Sequence, residues 1–220
     1  MNRQEELAVG RRLLGHIDAR TTDLADAMFR NKVINYSSRE RAELERAKLF
    51  RDRPIFMALS TRLAKPGDFL TEDVGGMPVL ITRANDGMAQ AFANICRHRG
   101  APVAQGCGHA RAFTCPYHGW TYDLSGKLHG TTDKVGFAGL DLGAHGLVRL
   151  PIAEKHGMIF VRPRPLQIDE SVAIDVDAEL GPIAGDLAAL RLDTFPYYST
   201  DRVQPRINWK FAVDTFLEGY

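Results

Sequence analysis

Two short motifs near the middle of the chain constrain its fold more than any other feature. Cys96-Arg97-His98 and Cys115-Pro116-Tyr117-His118 each place a thiol close to an imidazole, and sixteen residues separate His98 from Cys115. Thiolate and imidazole are common ligands of transition metals. A chain that brings both motifs to one metal centre must fold so that two loops meet, each contributing one sulfur and one nitrogen ligand.

The mixed composition of each pair favours an iron–sulfur cluster over zinc. Zinc fingers usually place two cysteines in one pair and two histidines in the other. A Rieske [2Fe–2S] centre instead binds one iron through two cysteines and the other through two histidines. A structural zinc site and a chance match among seven histidines and three cysteines are the alternatives.

The spelling C-x-H-x16-C-x2-H, flanked by Arg99-Gly100 and Gly119-Trp120, resembles the Rieske domain of ring-hydroxylating oxygenase α subunits. The resemblance implies that a [2Fe–2S] cluster is bound by Cys96, His98, Cys115 and His118. Respiratory Rieske proteins add two cysteines that clamp the cluster loops with a disulfide. This chain has Ala101 and Tyr117 at those positions, which favours the oxygenase or ferredoxin branch and leaves Cys107 as a free thiol.

The run from Asn208 to Tyr220 resembles the N-W-K…E-x-Y-H motif that leads to the catalytic iron in the same family. The first iron-binding histidine would follow Tyr220. The resemblance therefore implies a fragment of a longer α subunit, with mononuclear Fe(II) and its 2-His-1-carboxylate ligands expected only in the full-length protein. Glu218 matches the carboxylate that bridges a neighbouring subunit's Rieske histidine to the iron, and an exposed helix glutamate is the alternative. Asp214 is a candidate for a supporting role near the iron.

Periodicity predicts an α+β fold with three parts. Residues 1–50 form a helical arm, with helices at 5–17 and 39–50 and a short one capped by Thr22-Asp23. Residues 51–165 form a small antiparallel β domain of the Rieske type, with both metal motifs on loops at one end. Residues 166–220 begin an α/β catalytic domain that is truncated here, with helices at 178–190 and from 208 onward. Predicted strands and hairpins cover 55–59, 69–71, 78–82, 89–93, 122–128 and 158–162.

Composition excludes several other classes of protein. A formal net charge of +1 provides no electrostatic argument for binding nucleic acid or an anionic membrane. No apolar run approaches the ~20 residues that span a bilayer, and the acidic N-terminus lacks the apolar core of a secretory signal. Three cysteines do not form a paired disulfide framework. These features predict a cytoplasmic protein.

The resemblance implies a Rieske mono- or dioxygenase in which the cluster passes electrons to an oxygen-activating iron. Those electrons would come from NAD(P)H through a reductase and, in some members, a ferredoxin. A small aromatic substrate and a homotrimer or α/β hetero-oligomer are expected for the full-length protein. The competing hypothesis is a Rieske-type ferredoxin that carries electrons without oxygenase activity of its own.

Overall fold

The computed structural model describes residues 2–133, 135–166, 173–204 and 206–217. The chain divides into two compact units, Met1–Arg39 with Pro205–Tyr220, and Glu40–Gln204. The first unit is helical in its described part, whereas the second contains all the strands that the structure describes. The fold is therefore α+β, as predicted from the sequence.

The first unit contains helices α1 (Arg3–Ala19) and α2 (Ile34–Ser37) and a C-terminal helix, α6 (Trp209–Leu217). Asn2 caps α1, because its side-chain oxygen accepts hydrogen bonds from the backbone N–H groups of Gln4 and Glu5 at 3.0 Å. The Glu5 carboxylate completes the capping box by accepting from the Asn2 backbone N–H at 2.8 Å.

The short helix predicted after Thr22-Asp23 is absent from the described residues there. Asp23 instead accepts a hydrogen bond from Nε2 of His16 at 2.8 Å and pairs with Arg12 at 3.3 Å. Because these contacts occupy its carboxylate, Asp23 does not cap a new helix.

Helix α3 (Arg39–Lys48) starts at the predicted residue, and all of it after Arg39 belongs to the second unit. Ten short strands follow, and all their pairings are antiparallel. Their bounds are β1 (Ile55–Leu59), β2 (Asp68–Val74), β3 (Met77–Arg83), β4 (Ala89–Ala93), β5 (Cys107–His109), β6 (Ala112–Thr114), β7 (Thr121–Asp123), β8 (Leu128–Gly130), β9 (Ile152–Lys155) and β10 (Met158–Val161).

The strands form three sheets, ordered β1-β10-β9, β4-β3-β2-β5 and β6-β7-β8. The predicted turn at Asn85-Asp86-Gly87 joins β3 to β4, and Gly87 has the positive φ (81°) that such a turn requires. The first metal motif follows β4 and the second lies between β6 and β7. This topology brings the two loops to one end of the domain, as expected for a Rieske domain.

Two buried clusters hold these sheets together. One includes both motif cysteines, together with Phe92, Trp120 and Tyr122, so the metal loops rest directly on the hydrophobic core. The other joins the β1-β10-β9 sheet to β3 and β4 through residues such as Ile81 and Ile159, both with no exposed surface.

The helix predicted over 178–190 is two helices, α4 (Val176–Leu180) and α5 (Ala184–Ala189). Gly181 and Pro182 cause the break, because Gly181 adopts φ 57° and ψ −131° and proline has no N–H to continue the helix. In the part of the chain that the structure describes, no helix combines the length and apolarity needed to cross a bilayer.

Candidate metal centre

The two motifs adopt the same backbone turn. In the first, the Cys96 N–H donates to the Ala101 carbonyl at 2.8 Å and the Gly100 N–H donates to the Cys96 carbonyl at 2.9 Å. In the second, Cys115 and Trp120 form the matching bond at 2.8 Å, and Gly119 donates to the Cys115 carbonyl at 3.0 Å. Each turn therefore holds its cysteine at the same position relative to a closing glycine.

Both closing glycines have positive φ, 74° at Gly100 and 67° at Gly119. This left-handed conformation is easily reached only by glycine, which explains why glycine follows each motif. The space beyond the two residues differs. A Cβ on Gly119 would lie 2.3 Å from Cγ2 of Thr132, whereas a Cβ on Gly100 would meet nothing closer than 4.0 Å.

The four motif side chains come together at the surface of the core. Cys96 and Cys115 are 3% and 2% exposed, and the histidines are half-buried. The imidazole centroids of His98 and His118 lie 4.6 Å apart, with an interplanar angle of 69°. Two sulfurs thus lie on the buried side while two imidazoles extend towards solvent.

Aromatic rings fix the orientation of the first histidine. The indole of Trp120 lies parallel to the His98 ring at 5.1 Å, and Phe137 packs edge-on against both rings at 5.6 and 5.4 Å. Trp120 is 2% exposed and so shields this side of the site from water. Partial burial lowers the pKa of His98, and electrostatic interactions with His118 and Arg99 lower it further.

Tyr122 connects the first loop to the strand that follows the second. Its hydroxyl lies 3.3 Å from the Cys96 sulfur and accepts a hydrogen bond from the Arg97 N–H at 2.9 Å. Burial raises the pKa of Tyr122, and its contact with Cys96 raises it further. A phenol with a raised pKa stays protonated, so this hydroxyl can donate to the Cys96 sulfur when that sulfur is a thiolate.

Asn94 secures the backbone around the first loop. Its buried side-chain oxygen accepts from the N–H groups of Val103 and Ala104 at 3.0 and 3.2 Å, and its amide donates to the Ala104 carbonyl at 2.9 Å. Asn94 lies two residues before Cys96, so these bonds close the chain around the whole motif.

The side chains of the two motifs are free to bind a metal. Among the described residues, Nδ1 of His98 is buried and has no hydrogen-bond partner, as expected of a nitrogen that donates its lone pair to a metal. Cys96 and Cys115 form no disulfide. Two thiols and two imidazoles are the donor set that a Rieske [2Fe–2S] cluster uses.

The other residues singled out from the sequence are Cys107, Asp214 and Glu218. The thiol of Cys107 is free and exposed on the edge strand β5. In the other unit, Asp214 on α6 accepts a hydrogen bond from the Tyr36 hydroxyl at 2.7 Å. Glu218 lies outside the described residues.

Sequence reasoning missed Tyr122, Asn94 and Phe137 as parts of the site. The sequence pattern places Tyr122 only in a hairpin, whereas in the structure it lies in the short strand β7 and in the same buried cluster as Trp120. Asn94 offered a weaker signal, a polar residue directly after a hydrophobic strand. Phe137 reaches the site from a turn far along the chain, and no motif marks it.

Comparison with known proteins identifies the domain. Residues 54–140 match the family model described as the Rieske [2Fe–2S] domain. The chain is 31% identical to the glycine betaine monooxygenase oxygenase subunit of Chromohalobacter salexigens, covering 80% of this chain and 38% of that protein. It is 32% identical to a benzene 1,2-dioxygenase subunit alpha of Pseudomonas putida, covering 82% and 40%.

A solved structure shows the same fold. The quaternary ammonium Rieske monooxygenase CntA in complex with L-carnitine is similar with a TM-score of 0.73 and 30% identity, over 84% of this chain and 52% of that one. The chain spans about half the length of these relatives or less.

Proposed function

Since the chain carries a Rieske [2Fe–2S] domain and is homologous to Rieske oxygenase α subunits, we propose that it is the electron-transfer part of such a subunit. One observation carries the proposal. Two equivalent turns bring two buried thiols and two half-buried imidazoles together. We assign the [2Fe–2S] ligands as Cys96, His98, Cys115 and His118.

Residues around the proposed ligands influence the reduction potential of the cluster and its exposure to water. When bound, a Rieske cluster takes up and releases single electrons at a potential that its histidine ligands raise. The Tyr122 hydroxyl donates towards the Cys96 sulfur at 3.3 Å and so favours the more negative, reduced state. Trp120 and Phe137 exclude water beside His98. Both imidazoles are half-exposed, which leaves an outward path for electrons.

We further propose that the electrons derive from NAD(P)H through a reductase, directly or by way of a ferredoxin, and pass to a mononuclear Fe(II) that activates O2. Glu218 is the proposed carboxylate between a Rieske histidine of a neighbouring subunit and that iron. The proposed role requires an oligomer, which we propose to be a homotrimer or an α/β hetero-oligomer, because the bridge would join two subunits.

Two substrate classes are proposed. Benzene 1,2-dioxygenase supports a small aromatic substrate, whereas the glycine betaine and carnitine monooxygenases support a quaternary ammonium compound. The second class is favoured by the structural match to CntA, with a TM-score of 0.73. The reaction would accordingly be dioxygenation of a ring or monooxygenation beside a cationic nitrogen.

The first test is the metal content of the purified protein. We expect two irons and two acid-labile sulfides per chain, with the rhombic electron paramagnetic resonance (EPR) spectrum of a reduced Rieske centre. Stoichiometric zinc without sulfide would refute the assignment. We also propose a cytoplasmic location, because the three cysteines among the described residues are free and thiols stay reduced in that compartment.

The second test separates an oxygenase from a Rieske ferredoxin. The complete gene product is assayed for NAD(P)H-dependent oxygen uptake with a reductase, using benzene and benzoate in one series and carnitine and glycine betaine in the other. Substrate-dependent uptake supports the oxygenase and identifies the substrate class. A protein that is reduced and reoxidised by other carriers, but never consumes oxygen with substrate, supports the ferredoxin.

A further inference from the structure

A groove of about 380 Å³ runs along the first cluster loop within the β-rich unit. Two proposed cluster ligands, Cys96 and His98, form part of its wall. The rest of its lining is mainly apolar and comes from four separate parts of the unit, with the apolar residues Met77, Ala93, Ile95, Val148 and Pro165. A protein seated in this groove would therefore touch the loop that holds the cluster.

Positive charge dominates the loop beside this groove. Arg97 lines the groove and Arg99 follows His98 on the same turn, and both side chains are exposed. Neither guanidinium forms an ion pair with any residue that the structure describes. An exposed arginine without a carboxylate partner keeps its full charge available to an incoming protein. None of the groove-lining residues is acidic.

We propose that this groove, with Arg97 and Arg99 at its edge, is the docking site of an electron-donating protein whose contact face is acidic around an apolar centre. The inference rests on the proposed function, because it names the partner of the same cluster. An apolar floor next to a charged edge is the usual anatomy of a protein interface. Opposite charges raise the rate at which such partners meet.

The groove also satisfies the requirement that a donor approach the cluster closely. Both Cys96 and His98 lie in its wall, so a partner docked there reaches the cluster through its own ligands. One electron leaves the donor's reduced cluster and enters the Rieske cluster, and no covalent bond changes. Trp120 and Tyr122 are buried and do not line the groove.

The test measures how fast a protein donor reduces the cluster of the iron-loaded chain. The probe is a reduced plant-type [2Fe–2S] ferredoxin with a negatively charged surface, whose potential lies below that of Rieske centres. Stopped-flow absorbance follows cluster reduction at low and at high ionic strength. We expect Arg97→Gln with Arg99→Gln to lower the second-order rate constant about tenfold at low salt. We also expect the wild-type rate to fall towards that of the variant at high salt.

Two controls isolate docking from effects on the cluster. Arg111→Gln removes another exposed arginine of the same unit that lies outside the groove, and its rate should equal the wild-type rate. Reduction by photoreduced 5-deazariboflavin, a small uncharged donor, should be the same in all variants. Ile95→Glu places a negative charge in the groove, and it should slow the ferredoxin reaction at least as much as the arginine pair.

Each result has one meaning. The docking site is wrong if the rate of reduction by ferredoxin changes neither with the two arginine substitutions nor with the salt concentration, while deazariboflavin still reduces the cluster. That result leaves the proposed function intact. Absence of a Rieske EPR signal overturns the proposed function instead. If the arginine variants keep the wild-type rate but dissociate an oligomer in sedimentation analysis, the groove contacts a second copy of the chain and the proposal is wrong.

Discussion

Replacing each closing glycine by alanine should separate backbone strain from a steric clash, because Gly119 and Gly100 share one conformation but differ in their surroundings. A left-handed φ costs a residue with a Cβ roughly 1–2 kcal/mol, and this applies equally at φ 67° and φ 74°. Only Gly119→Ala also brings its Cβ to 2.3 Å from Cγ2 of Thr132.

The energetic cost of relieving that clash can be estimated from the hydrogen bond that holds the Thr132 side chain. Its hydroxyl donates to the His118 carbonyl at 2.8 Å, so the side chain can rotate away only by giving up this bond. Such a bond contributes about 1 kcal/mol, which is less than the ~1–3 kcal/mol of tolerating an overpacked contact. The Thr132 side chain should therefore rotate away and lose its hydrogen bond. Gly119→Ala should then be about 1 kcal/mol more destabilising than Gly100→Ala.

Thermal unfolding of the cluster-loaded proteins, followed by circular dichroism at one scan rate, measures the difference. For a chain of this size, 1 kcal/mol corresponds to roughly 2–4 °C in Tm. Gly100→Ala should lower Tm by about 2–8 °C and Gly119→Ala by about 2–4 °C more. Thr132→Ser keeps the hydroxyl but removes Cγ2, so in the Gly119→Ala background it should abolish this extra loss. Equal losses at the two glycines, or no rescue by serine, would refute the reasoning.

Three further predictions follow from single contacts. Tyr122→Phe removes the hydroxyl 3.3 Å from the Cys96 sulfur, so a redox titration should show a potential lower by roughly 20–60 mV, the equivalent of one hydrogen bond. Cys96→Ser should abolish the Rieske EPR signal, whereas Cys107→Ser, at the exposed thiol, should leave it unchanged. Partial burial would raise the pKa of Glu154, but its bidentate pair with the buried Arg83 at 2.6 and 2.8 Å lowers that pKa below its ordinary 4.5. A carboxyl whose pKa is lowered in the folded state stabilises the fold above pH 4.5. This stabilisation is lost as the pH falls through the folded-state pKa. Glu154→Gln should lower the free energy of unfolding by about 3 kcal/mol at pH 7, as measured by chemical unfolding. Equal stability of variant and wild type at pH 7 would contradict this. So would a wild type that loses no more stability than the variant when the pH falls below 4.5.

Much of the β domain was predictable because its strands are apolar and its turns are rich in glycine. The sequence prediction placed β4 at its observed bounds, Ala89–Ala93, and placed β1 at Ile55–Leu59. It missed β5, β6 and β9. The first two are three residues long, and β5 is exposed throughout, so no alternation of apolar and polar residues marks it. Such short strands form because the rest of the sheet is already in place.

The proposed ligand set could be named from the sequence for a different reason, since the spacing of thiols and imidazoles is set by the chemistry of the metal. The residues that support the set were harder to find. Tyr122 and Asn94 act through single hydrogen bonds to atoms of the first loop, and these depend on how the strands pack. The single helix predicted over 178–190 is wrong because Gly181-Pro182 ends the first helix before the second begins.

The three hydrogen bonds of Asn94 have a consequence for where the site can operate. In the respiratory branch a covalent sulfur–sulfur link braces the cluster loops, and thiol reagents can cleave such a link. Here a buried amide holds the backbone on both sides of the first loop at 2.9–3.2 Å. Glutathione and thioredoxin reduce disulfides but cannot break these hydrogen bonds. The loop can therefore keep its shape in a strongly reducing medium, where its support does not change with the redox poise of the surroundings.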